Sequence, residues 1–180
     1  MRGACAAIAI LIVAAPAVAG PSAFAVTADI GVPDGGVASV EYRPIPVVAV
    51  SLGISHNLVS TGVRAGVGYA PLHRRRWSPL AQLAYGHFPD GDANSLVGDP
   101  DQPSPLLERV GYDFVDLDVG IEAGSRRVRF YVLLGVSRVT GTIHGIDALD
   151  PDDTTTISVA TDPAVAAWIA SVKLGVAVTM

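Results

Sequence analysis

From Tyr112 to Arg138 the chain alternates in two phases. One phase runs Val115, Leu117, Val119, Ile121, Ala123 and then Val128, Phe130, Val132, Leu134, Val136. The other runs Asp116, Asp118, Gly120, Glu122 and then Arg127, Arg129, Tyr131, Leu133, Gly135, Ser137. Successive side chains of a β-strand point to opposite faces, so the pattern predicts two strands joined by a tight turn at Gly124-Ser125-Arg126-Arg127. With Ser125 and Arg126 at the tip, Glu122 is expected opposite Arg129 and Ile121 opposite Phe130, in phase on both faces. Such a pair has one apolar face and one face of mixed charge. Either the apolar face meets a core and the charges meet water, or the apolar face meets lipid and the charges fill a lumen.

The beginning of the chain reads as a secretory signal over residues 1–19. Arg2 supplies the positive start, Ala6 to Ala15 the apolar run, Pro16 the break and Ala17-Val18-Ala19 the small-residue cleavage site, with Ala23-Phe24-Ala25 as a later alternative ending at 25. The run is too short to cross a bilayer as a helix. The single cysteine, Cys5, lies inside this segment, so the exported chain has no thiol for a disulfide, a metal or a nucleophile. Net charge is −5, with no basic stripe interleaved with aromatics, which points away from nucleic acid. Abundant Val and Gly favour strands.

Eight alternating segments follow, at 24–32, 36–43, 47–56, 58–70, 77–88, 112–124, 127–140 and 166–180. Together they predict one all-β domain over 24–180, an eight-stranded antiparallel up-and-down transmembrane β-barrel. Most segments match the ~9–11 residues a tilted spanning strand needs, and an even count returns the chain to its starting side. The even-numbered connections are all short: through Pro44 and Pro46, from Pro71 to Arg76, and at Ser125. The long ones, Pro89 to Gly111 and Gly141 to Val165, are odd-numbered and rich in Asp, Pro, Gly and Ser. Short even-numbered turns with long odd-numbered loops fit an outer-membrane barrel, but the first connection, Pro33-Asp34-Gly35, and the third, around Asn57, are short too, so the pattern is partial.

The polar phase carries Asp29, Glu41, Arg43, Arg64, Asp116, Asp118, Glu122, Arg127, Arg129 and Lys173, five acids and five bases. A closed lumen favours that balance, because an unpaired buried charge costs several kcal/mol. The rest of the phase is mostly Gly and Ser, small enough for a narrow barrel to close around long charged side chains. Aromatic residues gather near strand ends. Tyr42, Tyr69, Trp77, Phe130 and Tyr131 lie toward the short turns, and Tyr85, Phe88, Tyr112, Phe114 and Trp168 toward the long connections. This resembles two interfacial girdles; the bland alternative is that aromatics sit anywhere in a β core.

The last segment, Lys173-Leu174-Gly175-Val176-Ala177-Val178-Thr179-Met180, resembles the carboxy-terminal signal of outer-membrane β-barrels at Lys173, Gly175, Val178 and Met180, with Met180 in place of the usual aromatic. By pattern the chain is similar to the small eight-stranded outer-membrane barrels, the transmembrane domain of outer-membrane protein A and the opacity-type proteins. The resemblance implies a Gram-negative outer membrane, contact with outer-membrane lipid and with the barrel-assembly machinery, and a lumen filled by ion pairs instead of an open pore; no cofactor is expected. It transfers no surface ligand.

Other chemistry is sparse. Asp90-Gly91-Asp92-Ala93-Asn94 opens like a calcium loop, but Ser95 stands where that loop needs glycine and Asp101 where it needs glutamate. A looser divalent site would draw on Asp90, Asp92, Asp99 and Asp101, or on Asp150, Asp152 and Asp153; the bland alternative is a solvated acidic loop, and no metal is expected. His56, His73, His87 and His144 lack metal-ligand spacing. A lipid-modifying barrel enzyme would need a His and a Ser at the rim. Ser55 and His56 are adjacent on a strand and so point apart, which leaves His87 with Ser95. The expectation is a non-enzymatic structural or surface-interaction barrel. The alternatives are a soluble lipocalin-like barrel for an apolar ligand, a lipid-modifying enzyme and a narrow pore. His73-Arg74-Arg75-Arg76, the densest positive run, would meet lipid phosphates or the assembly machinery, or simply keep strand ends in water.

Overall fold

The computed structural model describes residues 24–91, 110–143 and 164–180. The alternating segments form β1 (Phe24–Val32), β2 (Gly35–Ile45), β3 (Val48–His56), β4 (Thr61–Tyr69), β5 (Trp77–Gly91), β6 (Val110–Gly124), β7 (Val128–Ile143) and β8 (Ala164–Thr179). Each pairs antiparallel with its sequence neighbour, and β8 returns to β1 from Ala25↔Thr179 to Val32↔Val172, closing the barrel. Closure gives every strand a partner on both sides, although β8 before Val172 and β5 after His87 extend beyond their β1 and β4 partners. β1 to β4 have 9 to 11 residues, and β5 to β8 have 15 or 16. The later half therefore continues past the rim: β6 and β7 stay paired out to Val110↔Ile143, beyond β5's last partner in β4 at His87.

One row of paired residues shows the facing. Phe24, Tyr42, Val50, Val67, Leu83, Leu117, Val136 and Ala170 follow one another around the barrel, all apolar and all turned outward. Leu117 is 58% exposed, Val119 61% and Leu134 56%. A row on the other face runs Asp29, Gly175, Tyr131, Glu122, Ser78, and it faces inward. The mixed-charge phase thus lines the lumen and the apolar phase is the outer surface.

The β6–β7 turn differs from expectation. It has three residues, Ser125, Arg126 and Arg127, and pairing begins at Gly124↔Arg129. Glu122 therefore lies opposite Tyr131, and Ile121 opposite Val132, a slip of two from the expected register. A slip of two conserves the faces, so the phase assignment survives it. The Ser125 hydroxyl fixes the turn by accepting the backbone N–H groups of Arg127 and Val128.

Candidate functional site

The lumen is the densest concentration of polar chemistry among the described residues. Of the ten charges expected there, nine are inside. Arg127 is not: it is the third residue of the turn and is exposed. The alternation extends to Arg127, whereas β7 begins one residue later, at Val128. The addition is Asp34, fully buried although it sits in the two-residue β1–β2 turn. The turn folds its carboxylate inward, while Gly35 takes the left-handed conformation (φ 73°) that a side chain would resist. Among the described residues the lumen then holds six acids (Asp29, Asp34, Glu41, Asp116, Asp118, Glu122) and four bases (Arg43, Arg64, Arg129, Lys173), not five of each.

The charges form two networks. Toward the long connections, Lys173 Nζ lies 2.6 Å from Asp116 Oδ2, 2.9 Å from Asp118 Oδ2 and 3.2 Å from Asp34 Oδ2. Arg64 joins this group, with Nε 3.1 Å from Asp34 Oδ2, and donates to Asp29 Oδ1 at 3.0 Å and to Gln82 Oε1 at 2.9 Å. Tyr131 donates its hydroxyl to Asp29 Oδ2 at 2.8 Å. Toward the short turns, Glu122 gathers Arg129 (3.2 Å), Arg43 (3.8 Å) and His73 Nδ1 (2.9 Å), while Arg43 Nε also meets Glu41 at 2.8 Å. Arg129 reaches Glu122 diagonally across the ladder and donates to the Arg75 carbonyl at 3.0 Å, tying the β4–β5 connection to the wall. A cavity of about 30 Å³ lies between these networks, bordered by Asp29, Arg43, Arg64, Glu122 and Tyr131. That is room for roughly one water.

Glycines let the interior close. The rings of Phe114 and Tyr131 lie over Gly86 and Gly175, their direct cross-strand partners, and a Cβ on either glycine would overlap the ring. Here the aromatic expectation needs correcting. Phe88 and Phe114 are each 1% exposed and stack inside the barrel, Tyr131 points into the lumen, and the Tyr112 hydroxyl caps the β1–β2 turn at the Pro33 carbonyl while accepting from Asn57. The outward aromatics are Phe24, Tyr42, Tyr69, Trp77 and Phe130 near the short turns, and Tyr85 and Trp168 near the long connections. The phase itself carried the signal: Phe88 and Phe114 share the parity of Ala84, Gly86, Asp116 and Asp118.

Other named residues scatter. Ser55 is buried inward and His56 exposed outward, where it contacts the Thr61 hydroxyl at 3.1 Å. His87 meets Asp113 Oδ1 at 2.8 Å on the outer face, and Tyr85 donates to the same oxygen. Asp90 is exposed at the end of β5. Among the described residues no cluster of metal-ligating side chains forms. Residues 1–23, Asp92, Ser95, Asp99, Asp101, His144, Asp150, Asp152 and Asp153 lie outside the described residues. Of the terminal set, Lys173 and Gly175 face the lumen, and Val178 and Met180 are exposed on the outside.

These features define a closed eight-stranded antiparallel barrel, apolar without and ion-paired within. No protein family, curated protein or solved structure gives a match to the chain.

Proposed function

We propose that this chain is an outer-membrane β-barrel of a Gram-negative bacterium, with a structural or surface-interaction role and no catalytic one. The observation that carries this reading is the facing: a broad band of exposed apolar residues outside, with His87, Asp113 and Arg138 toward its long-connection end, and a Lys173–Asp116–Asp118–Asp34 cluster, each side chain almost wholly buried, inside. A large contiguous apolar surface needs an apolar neighbour, and a closed barrel is one of the two structures that satisfy their backbone in lipid. A lipocalin-like binder would need an apolar interior, and here the interior is charged. The lumen networks act as a plug, so solute passage is small or absent. The two long connections leave from strand ends at Gly91, Val110, Ile143 and Ala164 on one side of the barrel, and they are the parts left to meet a partner. Lipid and the barrel-assembly machinery are the partners this reading requires.

The test is gel mobility of the outer-membrane fraction, boiled against unboiled in detergent. A shift on boiling in that fraction is the expected result. Recovery of the protein in a soluble fraction, with no shift, would contradict it.

A further inference from the structure

Among the described residues the exposed charged side chains at the short-turn end are all basic: Arg74, Arg75, Arg76, Arg126 and Arg127. An open cleft of about 520 Å³ lies between the β4–β5 connection and the β6–β7 turn, lined by Arg74, Arg75, Arg76, Gly124, Ser125, Arg126 and Arg129. Arg129 is engaged with Glu122, but Arg74, Arg75, Arg76 and Arg126 are exposed and make no ion pair among the described residues. Four guanidinium groups around one cleft, with no ion-pair partner among the described residues, favour an anion between them.

The cleft is also held in shape. The Gly124 N–H donates to the Arg76 carbonyl at 2.9 Å, joining the two connections, and the Arg75 N–H donates to the Leu72 carbonyl at 2.7 Å. Arg129 braces the Arg75 carbonyl from inside the lumen. Guanidinium is the side chain whose planar fork matches phosphate oxygens.

The neighbouring surface says what carries the phosphate. Arg76 is followed by Trp77, and Trp77, Ala123 and Phe130 form one paired row on the outer face, with the two aromatic rings 60% and 62% exposed. Below that row the outer face is Ile121, Val132 and Val119. A basic cleft bordering aromatic residues that lead onto an aliphatic wall suits a molecule with an anionic head and hydrocarbon tails.

We propose that this cleft binds the phosphate of an anionic glycerophospholipid, its acyl chains lying along the outer face below Trp77 and Phe130. The proposal rests on the membrane reading above.

The experiment uses the purified barrel in nanodiscs of phosphatidylcholine doped with phosphatidylglycerol, with retained lipid counted by native mass spectrometry. Wild-type protein is expected to retain phosphatidylglycerol over phosphatidylcholine. The variant R74Q/R76Q/R126Q is expected to lose that preference by roughly tenfold or more, R126Q alone to lose part of it, and R138Q, an equal charge change at an exposed outer position away from the cleft, to leave it unchanged. Heat-shifted mobility of each variant reports that it has folded. Inorganic phosphate is titrated in parallel. Failure of millimolar phosphate to displace the lipid assigns the site to headgroups, and full displacement assigns it to free phosphate. Undiminished preference in the folded triple or single variant, or no preference in the wild type, overturns the proposal. Failure of the wild type to enter nanodiscs overturns the membrane reading itself, which separates the two.

Discussion

Lys173 on β8 reaches past the whole of β7 to place its ammonium 2.6 Å from the carboxylate of Asp116 on β6, with both side chains fully buried. The same nitrogen serves Asp118 and Asp34, so one cation holds three carboxylates. Desolvating these ions costs several kcal/mol each, and what offsets that cost is their mutual geometry.

Removing the shared cation should therefore be among the most damaging single changes in the lumen. Lys173→Met is expected to destabilise by about 3–5 kcal/mol, because it strands buried carboxylates. Asp34→Asn should cost less than half as much, because the lumen has acids in excess and Asn retains a polar group near Arg64. Urea unfolding from phospholipid vesicles, followed by tryptophan fluorescence, measures both. Equal costs, or a milder Lys173→Met, would contradict the charge count.

Arg129→Ala removes a cation from Glu122 and the donor to the Arg75 carbonyl together. The expected loss is about 3 kcal/mol, seen as a lower temperature for the heat-induced gel shift. Unchanged heat resistance would mean that Arg129 is not a lumen residue.

Much of this was legible in the chain because alternation is a direct image of a strand. Parity placed Asp29, Arg64, Asp116, Asp118, Glu122, Arg129 and Lys173 on one face, and they share the lumen. Parity stops at turns, and there the reading erred. The alternation carries the strand to Arg127 while β7 begins at Val128, and the observed hairpin register differs by two from the one the alternation predicts. Asp34 carried no periodic signal, since its inward direction is set by the turn between Pro33 and Gly35. The expectation that aromatics near strand ends form girdles sets Phe88 and Phe114 outside, although their parity points inward.

The interior glycines differ in what they face, and that predicts a contrast. Gly86→Ala and Gly175→Ala push a methyl into the Phe114 and Tyr131 rings and should cost about 1–3 kcal/mol each by overpacking. Gly68→Ala, also inside, meets nothing nearer than 3.6 Å and should fold with wild-type stability. Refolding yield and urea midpoint of the three variants check the ordering, and equal behaviour would contradict the packing described.

The plugged lumen predicts low conductance. In planar bilayers the wild-type protein should show no sustained open channel, and Lys173→Met with Asp116→Asn, which removes both ends of the shortest lumen bridge, should raise current events above that baseline. Wild-type conductance at porin level would contradict the closed lumen.

The central claim is that the outer face meets lipid, and Leu117→Arg tests it most directly. Leu117 sits midway along β6, 58% exposed, between Leu83 and Val136 on neighbouring strands. Its side chain touches the surroundings of the barrel more than its core. In a bilayer an arginine near the midplane costs about 2–4 kcal/mol, whereas on a wetted surface the change is nearly neutral. The measurement is the unfolding free energy of Leu117→Arg in phospholipid vesicles against wild type. A loss in the bilayer range is the predicted result. No loss, or a protein that stays folded and soluble without detergent, would contradict it.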